Sequence, residues 1–261
     1  MGGLGRFGAA ALALALAACG QTAPTAAPAA PPPTPRAAAP GAAPALWFLC
    51  DGVDAPAIFA VSQPDAQKQV IIREYDKRAA AQMREARYRV GDADPGAGNV
   101  YYPLTGENGT GYLRALNPDV LDDPSAAYTT PFIEIKLGER VVSCRWLERT
   151  RLEGFSTHRT FVVSEDADGD LIYRTYDFAD AGRAAPVALG GAQRTSVFSR
   201  EVRGGAEDTG PEGARFSFSD KGYFYEIRLP EGGGAVATVT HAGAMVQNEP
   251  LIAAQTPPRN E

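Results

Sequence analysis

The folded part of the chain is expected between Leu46 and Ile252, where apolar residues recur in short runs that often alternate with polar ones. The runs are rich in β-branched and aromatic residues and are separated by Gly, Pro and Asp, which is typical of strands joined by turns. They are LWFLC, AIFAV, QVIIREY, NVYYPL, GYLRAL, FIEIKLG, RVVSCRW, RTFVV, DLIYRTY, TSVFSRE, RFSF, YFYEIRL and AVATVTH. Many short strands at this spacing predict an all-β protein built as an antiparallel β sandwich or barrel.

One segment has a mixed pattern. Asp76–Tyr88, DKRAAAQMREARY, is rich in Ala, Gln, Met, Glu and Arg, which favour helices. The same residues also fit a strand with an irregular start, and both alternatives stay open.

Two segments of the chain resemble each other. FAVSQPDAQKQVIIREYD, Phe59–Asp76, aligns with FVVSEDADGDLIYRTYD, Phe161–Asp177, when one residue is gapped. The alignment matches Ser62 with Ser164 and the two Tyr-Asp pairs with each other. Chance similarity between two amphipathic hairpins is the alternative to a true repeat.

Three further coincidences come in the same order around both segments. Each segment follows a cysteine, Cys50 for the first and Cys144 for the second. Each precedes an Ala-Arg-aromatic triplet, within EARYRV and GARFSF, and then an aromatic pair, Tyr101-Tyr102 and Phe224-Tyr225. Such order predicts a duplication with two β-rich halves, residues 46–135 and 136–252.

The aspartates Asp166, Asp168 and Asp170 stand two apart around Gly169, which raises the question of a calcium loop. Calcium takes six to eight oxygen ligands, and the corresponding turn of the first copy, QPDAQKQ, keeps only Asp65. Asp-Gly between two alternating strands is instead a strong hairpin signal. The sequence therefore predicts a hairpin over Phe161–Asp177 and no metal site.

The folded part is flanked by segments that cannot form a core. Arg6 and the apolar run Phe7–Ala18, which is shorter than the roughly 20 residues that span a bilayer, predict a signal peptide over residues 1–18. Residues 19–45 are almost entirely Ala, Pro, Thr and Gly, so they predict a disordered, extended linker. Residues 253–261 predict a disordered tail.

The signal peptide ends in LAAC, Leu16–Cys19, which resembles the bacterial lipobox. The resemblance implies cleavage before Cys19 and its modification with palmitate-type acyl chains, so that a lipoprotein is anchored in the cell envelope. More than one acyl chain is needed for stable anchoring. Gly20 and Gln21, with no Asp after the cysteine, favour the outer membrane, with the chain facing the periplasm. An ordinary signal peptide with an accidental cysteine is the alternative.

The charge of the chain argues against two classes of partner. The formal net charge is −6, and it becomes −7 when Arg6 is removed with the signal peptide. An acidic chain without a basic run is not expected to bind nucleic acid or to adhere directly to an anionic membrane surface. The membrane contact is therefore expected to come from the lipid.

The two remaining cysteines, Cys50 and Cys144, would lie in an oxidising compartment, so a disulfide between them is expected. Loop-closure entropy would make such a bond worth roughly 4–5 kcal/mol. Two buried free thiols are the alternative.

No catalytic pattern stands out. The two histidines, His158 and His241, lack the spacing of a metal site, and no Gly-x-Ser-x-Gly elbow is present. The acids Glu134, Glu139, Glu148 and Glu153 alternate with Arg140, Arg145, Arg149 and Arg151, which predicts solvated strand faces with cross-strand ion pairs. The protein is expected to be no enzyme and to need no cofactor.

The segment EGARFSFSDKGYFYEIRL, together with the lipobox and WFLCDG, resembles the membrane-bound c-type lysozyme inhibitors, small β-barrel lipoproteins. Their signature resembles Ser-Gly-x-x-Tyr followed by Trp-x-Lys-Gly, and the serine and lysine enter the lysozyme cleft. Gly213 fits, Phe216 replaces Tyr, Glu212 replaces Ser, and Lys221 lacks the preceding Trp. The resemblance implies binding through Glu212, Arg215 and Lys221.

These observations together predict a non-enzymatic envelope lipoprotein that presents a β-rich module and binds a protein or a glycan in the periplasm. Inhibition of c-type lysozyme and a periplasmic hydrolase are the alternatives.

Overall fold

The computed structural model describes residues 45–79, 82–179 and 199–257, and nearly all of their regular structure is strand. The predicted signal peptide, Cys19 and the predicted linker up to residue 44 lie outside the described residues. All strand pairings are antiparallel, so the predicted all-β fold is confirmed. The strands are β1 (Leu46–Gly52), β2 (Ala57–Ser62), β3 (Gln69–Asp76), β4 (Met83–Val90), β5 (Asp94–Gly96), β6 (Asn99–Gly106), β7 (Gly109–Leu116), β8 (Phe132–Leu137), β9 (Arg140–Arg145), β10 (Thr150–Phe155), β11 (Arg159–Glu165), β12 (Leu171–Asp177), β13 (Arg200–Arg203), β14 (Ala206–Gly210), β15 (Gly213–Asp220), β16 (Tyr223–Pro230), β17 (Val236–His241), β18 (Ala244–Pro250) and β19 (Ala253–Gln255).

The first half is one sheet of nine strands in the order β4-β3-β2-β1-β9-β8-β7-β6-β5. Strand β4 also pairs with β6, so the sheet closes on itself. Its interior is filled by buried side chains from every side of the ring, including Phe48 and Phe132, whose rings stack with centroids 3.8 Å apart. Two short 3-10 turns, Pro118–Val120 and Pro124–Ala126, connect β7 to β8.

The second half is a sandwich of two five-stranded sheets, β13-β12-β11-β10-β19 and β14-β15-β16-β17-β18. One core cluster joins residues of both sheets, because Phe161 and Tyr173 of the first pack with Phe218, Tyr225 and their neighbours of the second. Alternate residues of each strand enter this core, as the alternating sequence pattern predicts.

The two halves meet through a third, smaller core. Leu49, Ile58 and Ala60 of the first half pack with Phe155 and Phe178 of the second. Burying aliphatic and aromatic surface stabilises this contact by about 25 cal/mol per Å².

The disulfide between Cys50 and Cys144 is present, as predicted, with Cα atoms 4.7 Å apart. It joins β1 to β9 at neighbouring register positions and is buried in the first core. The bond therefore closes the first half internally.

The repeat is visible in the strand register. β1 carries a bulge between Leu46 and Phe48, opposite Ser62 and Val61 of β2. β10 carries a bulge between Thr150 and Leu152, opposite Ser164 and Val163 of β11, the residues that the alignment matches with Ser62 and Val61. A β-bulge at the same place in both copies indicates one folding pattern used twice.

The turn after the second strand is also the same in both halves. Oδ1 of Asp65 accepts bonds from the amides of Gln67 and Gln69, at 2.9 and 2.8 Å. Oδ1 of Asp166 accepts bonds from the amides of Asp168 and Asp170, both at 3.0 Å. The predicted hairpin over Phe161–Asp177 is thus confirmed.

The correspondence extends to the remaining strands. β6 and β7 correspond to β15 and β16, since each pair is an eight-residue hairpin closed by two turn residues. β8 corresponds to β17. In the first half, β9 pairs with both β8 and β1. In the second half two strands take its place: β18 pairs with β17, and β19 pairs with β10.

Three of the sequence matches that suggested the repeat join residues on strands that do not correspond. Cys144 lies on β9 and pairs with Gly52, so it does not correspond to Cys50. The triplet of EARYRV lies on β4, whereas that of GARFSF lies on β15. Tyr101-Tyr102 lie on β6, whereas Phe224-Tyr225 lie on β16, which corresponds to β7. Only the hairpin alignment reflects the repeat.

The ambiguous segment Asp76–Tyr88 contains no helix among its described residues. Lys77 and Arg78 form a turn, and strand β4 begins at Met83. The first sheet continues to Arg145, beyond the boundary at residue 136 that was predicted for the second half. A tail was predicted from residue 253, but residues 253–255 form β19, which pairs with β10, and the Gln255 side chain accepts a 2.8 Å bond from the Leu49 amide. Residues 258–261 lie outside the described residues.

Candidate functional site

The first half contains a cavity of about 270 Å³ beside the turns that join β6 to β7 and β8 to β9. Its inner wall is apolar and its rim is charged. The inner residues are Phe59, Ile72, Ala86, Tyr88, Ile135, Leu137 and Val142, and the rim residues are Glu74, Arg84, Glu85, Asn108 and Arg140. An apolar pocket with a few polar groups at its entrance is the usual form of a ligand site.

The rim of this first pocket holds both paired and unpaired charges. The Arg140 guanidinium pairs with Glu74 and lies 5.5 Å from the centroid of the Phe59 ring. Arg73 pairs with Glu85 at 2.9 Å. Arg84 is exposed and makes no ion pair with another described residue. A partner with an acidic group would find this cation available.

The second half has a cavity of about 230 Å³ at the corresponding place. In the first half Glu74 lies opposite Arg84, and in the second Thr175 lies opposite Arg200. The neighbouring ion pair is repeated too, because Arg174 pairs with Glu201 at 2.8 Å as Arg73 does with Glu85. The strand register gives each of these lining residues of the first pocket a counterpart in the second. The first pocket has Ile72, Glu74, Arg84, Leu137 and Arg140. The second has, in the same order, Tyr173, Thr175, Arg200, Val239 and Gln247.

The second pocket differs from the first in chemistry. Tyrosines 173, 223 and 225 line it, and the Tyr223 ring stacks on His241 with centroids 4.2 Å apart. Its charged residues are Arg159, Arg200 and Asp177, and its neutral hydrogen-bonding residues are Thr175, Ser199 and Gln247. Arg159 is held by Asp177 and Glu249, at 3.1 and 3.2 Å. Arg200 lies 3.9 Å from Asp220, a loose contact that leaves it accessible.

A cluster of charges is buried where the two halves meet. Asp51 pairs with Lys77 and, at 2.8 Å, with Arg145, whose guanidinium stacks 3.5 Å from the centroid of the Tyr176 ring. Burial acts to raise the pKa of Asp51, but the charges of Lys77 and Arg145 outweigh it and hold the pKa below its ordinary value. Asp51 is therefore a carboxylate at neutral pH.

Glu153 lies in the same cluster but titrates differently. Burial raises its pKa well above the ordinary value, and the negative charge of Asp51 adds to the shift. Its Oε1 has no hydrogen-bond partner among the described residues. The expectation of a solvated face was wrong for Arg145 and Glu153, because both are buried where the halves meet. It was also wrong for Glu134, which is buried and bonded to Tyr112 and Arg114.

The largest of the three cavities, about 760 Å³, lies beside this junction. Several of its polar wall groups are already engaged. Arg78 pairs with Asp76 at 2.9 Å, and Asp54 accepts 2.9 and 2.7 Å bonds from the amide and hydroxyl of Ser143. Lys77 is held by Asp51.

The residues predicted to bind lysozyme do not form one site. Glu212 lies in the turn before β15 and Lys221 in the turn after it. A strand of this length separates the two turns by roughly 25 Å. Arg215 is exposed on β15 and pairs with Asp208 at 3.0 Å. Lys221 therefore does not lie beside Glu212, the residue at the serine position of the motif.

The two histidines have different neighbours. Nδ1 of His158 lies 3.0 Å from the hydroxyl of Thr157, and His241 stacks on Tyr223. Neither ring hydrogen-bonds a carboxylate within the described part of the chain. The described residues contain no cluster of three or more His, Cys, Asp or Glu placed to hold a metal.

No helix in residues 45–79, 82–179 and 199–257 has the length and hydrophobicity needed to cross a bilayer. Comparison of the chain with protein families, curated proteins and solved structures finds no match.

Proposed function

We propose that this protein is a lipid-anchored component of the bacterial cell envelope that binds a protein or a glycan in the periplasm and performs no catalysis. The observation that supports binding is the pair of corresponding pockets, one in each half. Packing of a hydrophobic core does not require a cavity at its end, yet each half has a cavity at the same strand positions. Openings at the ends of packed sheets are common ligand sites.

The arginines at the two rims support the same proposal. Arg84 and Arg200 occupy corresponding register positions, and both are exposed. A buried ion pair would stabilise the fold, whereas a loosely held cation beside an apolar cavity is suited to bind a ligand. In the first pocket, an apolar group of the ligand would enter between Ile72 and Leu137 while its polar part stays at the rim.

The anchoring half of the proposal rests on the sequence Leu16–Cys19. When the gene is expressed in bacteria fed an alkyne analogue of palmitate, the wild-type chain should carry the label and float with membranes. A Cys19→Ser chain should lose the label and be released into the soluble fraction. Labelling that persists in the Cys19→Ser chain would refute lipidation at this residue.

The binding half is tested by photo-crosslinking in intact cells. A photoreactive phenylalanine analogue at position 84 stands on the rim of the first pocket, and the same analogue at position 87 is the control. Arg87 is also exposed on β4 but does not line the pocket. We expect a discrete adduct from position 84 alone. Equal adducts from both positions, or none from position 84, would contradict binding at this pocket.

A further inference from the structure

The second pocket presents a row of aromatic rings that the first pocket lacks. The ring centroids of Tyr173 and Tyr225 lie 5.4 Å apart, those of Tyr225 and Tyr223 lie 6.3 Å apart, and the His241 ring stacks on the Tyr223 ring. Tyr223 keeps 37% of its surface exposed although His241 supports it. A ring that is stacked on one neighbour and still partly exposed offers a flat binding surface at little cost in side-chain entropy.

A buried hydroxyl in the same pocket lacks a partner. Thr175 is 1% exposed, lines the pocket, and its Oγ1 makes no hydrogen bond with any described residue. A buried hydroxyl without a partner costs about 1–3 kcal/mol. A ligand hydroxyl that reached this buried oxygen would recover part of this energy.

Other polar groups of the pocket are also suited to hydroxyls. The Ser199 hydroxyl accepts a 3.0 Å bond from the Asp177 amide and keeps its own proton to donate. The Gln247 amide nitrogen donates a 2.8 Å bond to Glu249, which leaves the amide oxygen to accept.

The charges favour a neutral ligand. Asp177 and Glu249 neutralise Arg159, and Asp220 lies 3.9 Å from Arg200, so carboxylates balance the positive charge of the pocket. Arg200 is still held loosely enough to donate to a ligand hydroxyl. The first pocket has an ion pair, Arg140–Glu74, where the second has the neutral Gln247 and Thr175. The two pockets therefore share a position but select different chemistry.

Building on the proposed function, we infer that the second pocket binds a neutral pyranose ring of a glycan. The C–H face of the sugar packs on the Tyr223 ring, whose π face is electron-rich. The sugar hydroxyls reach Thr175, Ser199 and Gln247. No bond is made or broken, so the site recognises a saccharide without processing it.

The inference is tested by calorimetric titration of the lipid-bearing mature protein in detergent with two soluble probes, the tetramer of β-1,4-linked N-acetylglucosamine and cellotetraose. Saccharide is raised to about 5 mM, enough to fill most of a millimolar site. Binding of at least one probe is expected. Tyr223→Ala should weaken it about tenfold or more, and Thr175→Val, which removes only the unpartnered hydroxyl, about fivefold.

Phe224→Ala is the matched control. Phe224 neighbours Tyr223 on β16 and is 40% exposed, but its side chain points to the other face of the sheet and does not line the pocket. Its affinity should stay within about twofold of wild type. The thermal unfolding midpoints of all three variants show whether each is folded.

Each outcome decides the inference. Saccharide binding that is reduced by Tyr223→Ala and Thr175→Val but not by Phe224→Ala supports it. Absence of binding for both probes overturns it, and so does binding that all three folded variants retain. Crosslinking from position 84 does not involve the second pocket, so failure here leaves the proposed function standing.

Discussion

At the scale of single residues, Glu153 is the group whose setting differs most from its sequence context. It follows Arg149 and Arg151 at alternate positions around the start of β10, a pattern typical of a solvated strand. The structure instead buries it beside Asp51 with its Oε1 unpartnered among the described residues. Sequence alternation shows which residues share a face of a strand, but it does not show whether another half of the molecule covers that face.

The raised pKa of Glu153 predicts a pH dependence of stability. A carboxyl whose pKa is higher in the folded state binds more protons there than in the unfolded state, so the free energy of unfolding falls as pH rises above the unfolded value near 4.3. Glu153→Gln removes this loss. We expect the variant to gain stability relative to wild type as the pH is raised from 4 to 8. Denaturant titrations whose pH profiles run parallel would contradict the assignment.

The turn glycine Gly169 predicts a second residue-scale effect. Gly169 has φ +86°, and the first half has Lys68 at φ +59° in the same turn position. An added Cβ at Gly169 meets no atom within 4 Å, so Gly169→Ala carries only the backbone cost of about 1 kcal/mol. Lys68→Ala is the control, because this position already tolerates a side chain. Urea unfolding should show a loss for Gly169→Ala and a change within about 0.5 kcal/mol for Lys68→Ala.

At the scale of elements, the sequence predicted the strands well, because β-branched runs, alternation and turn residues act locally. It predicted the hairpin of Phe161–Asp177 because Asp-Gly specifies a turn irrespective of the rest of the chain. It misaligned the flanking coincidences, such as Cys50 with Cys144, because a cysteine or an Ala-Arg-aromatic triplet carries no information about strand order. It left Asp76–Tyr88 open because helix propensity there competes with pairing to β3, and the pairing prevails.

The matched turns provide a prediction about the repeat. Asp65 and Asp166 each accept two backbone N–H bonds in the same pattern. Asp65→Ala and Asp166→Ala should each lower the free energy of unfolding by about 1–2 kcal/mol. Because the geometry is repeated, the two losses should agree within about 0.5 kcal/mol. Chemical denaturation of both variants measures this directly, and a large loss at only one turn would argue that the resemblance is superficial.

At the scale of the whole molecule, the two halves share a plan but differ in closure. The first is a closed sheet with a buried disulfide, and the second is an open sandwich. Neither pocket was visible in the sequence. Arg84 and Arg200 lie 116 positions apart in unrelated contexts, and only the register places them in corresponding positions. The signal that could have found them is the hairpin alignment, extended by one strand on the side of β4 and β13.

Photo-crosslinking in intact cells tests most directly whether one unit is used twice for binding. The photoreactive phenylalanine analogue is placed, in separate chains, at positions 84 and 200 and at the control positions 87 and 203. Arg203 is exposed on β13 but does not line the second pocket. The account predicts discrete adducts from 84 and 200 and none from 87 and 203. It would be contradicted if 84 and 200 gave no adduct, or if their adducts matched those of 87 and 203.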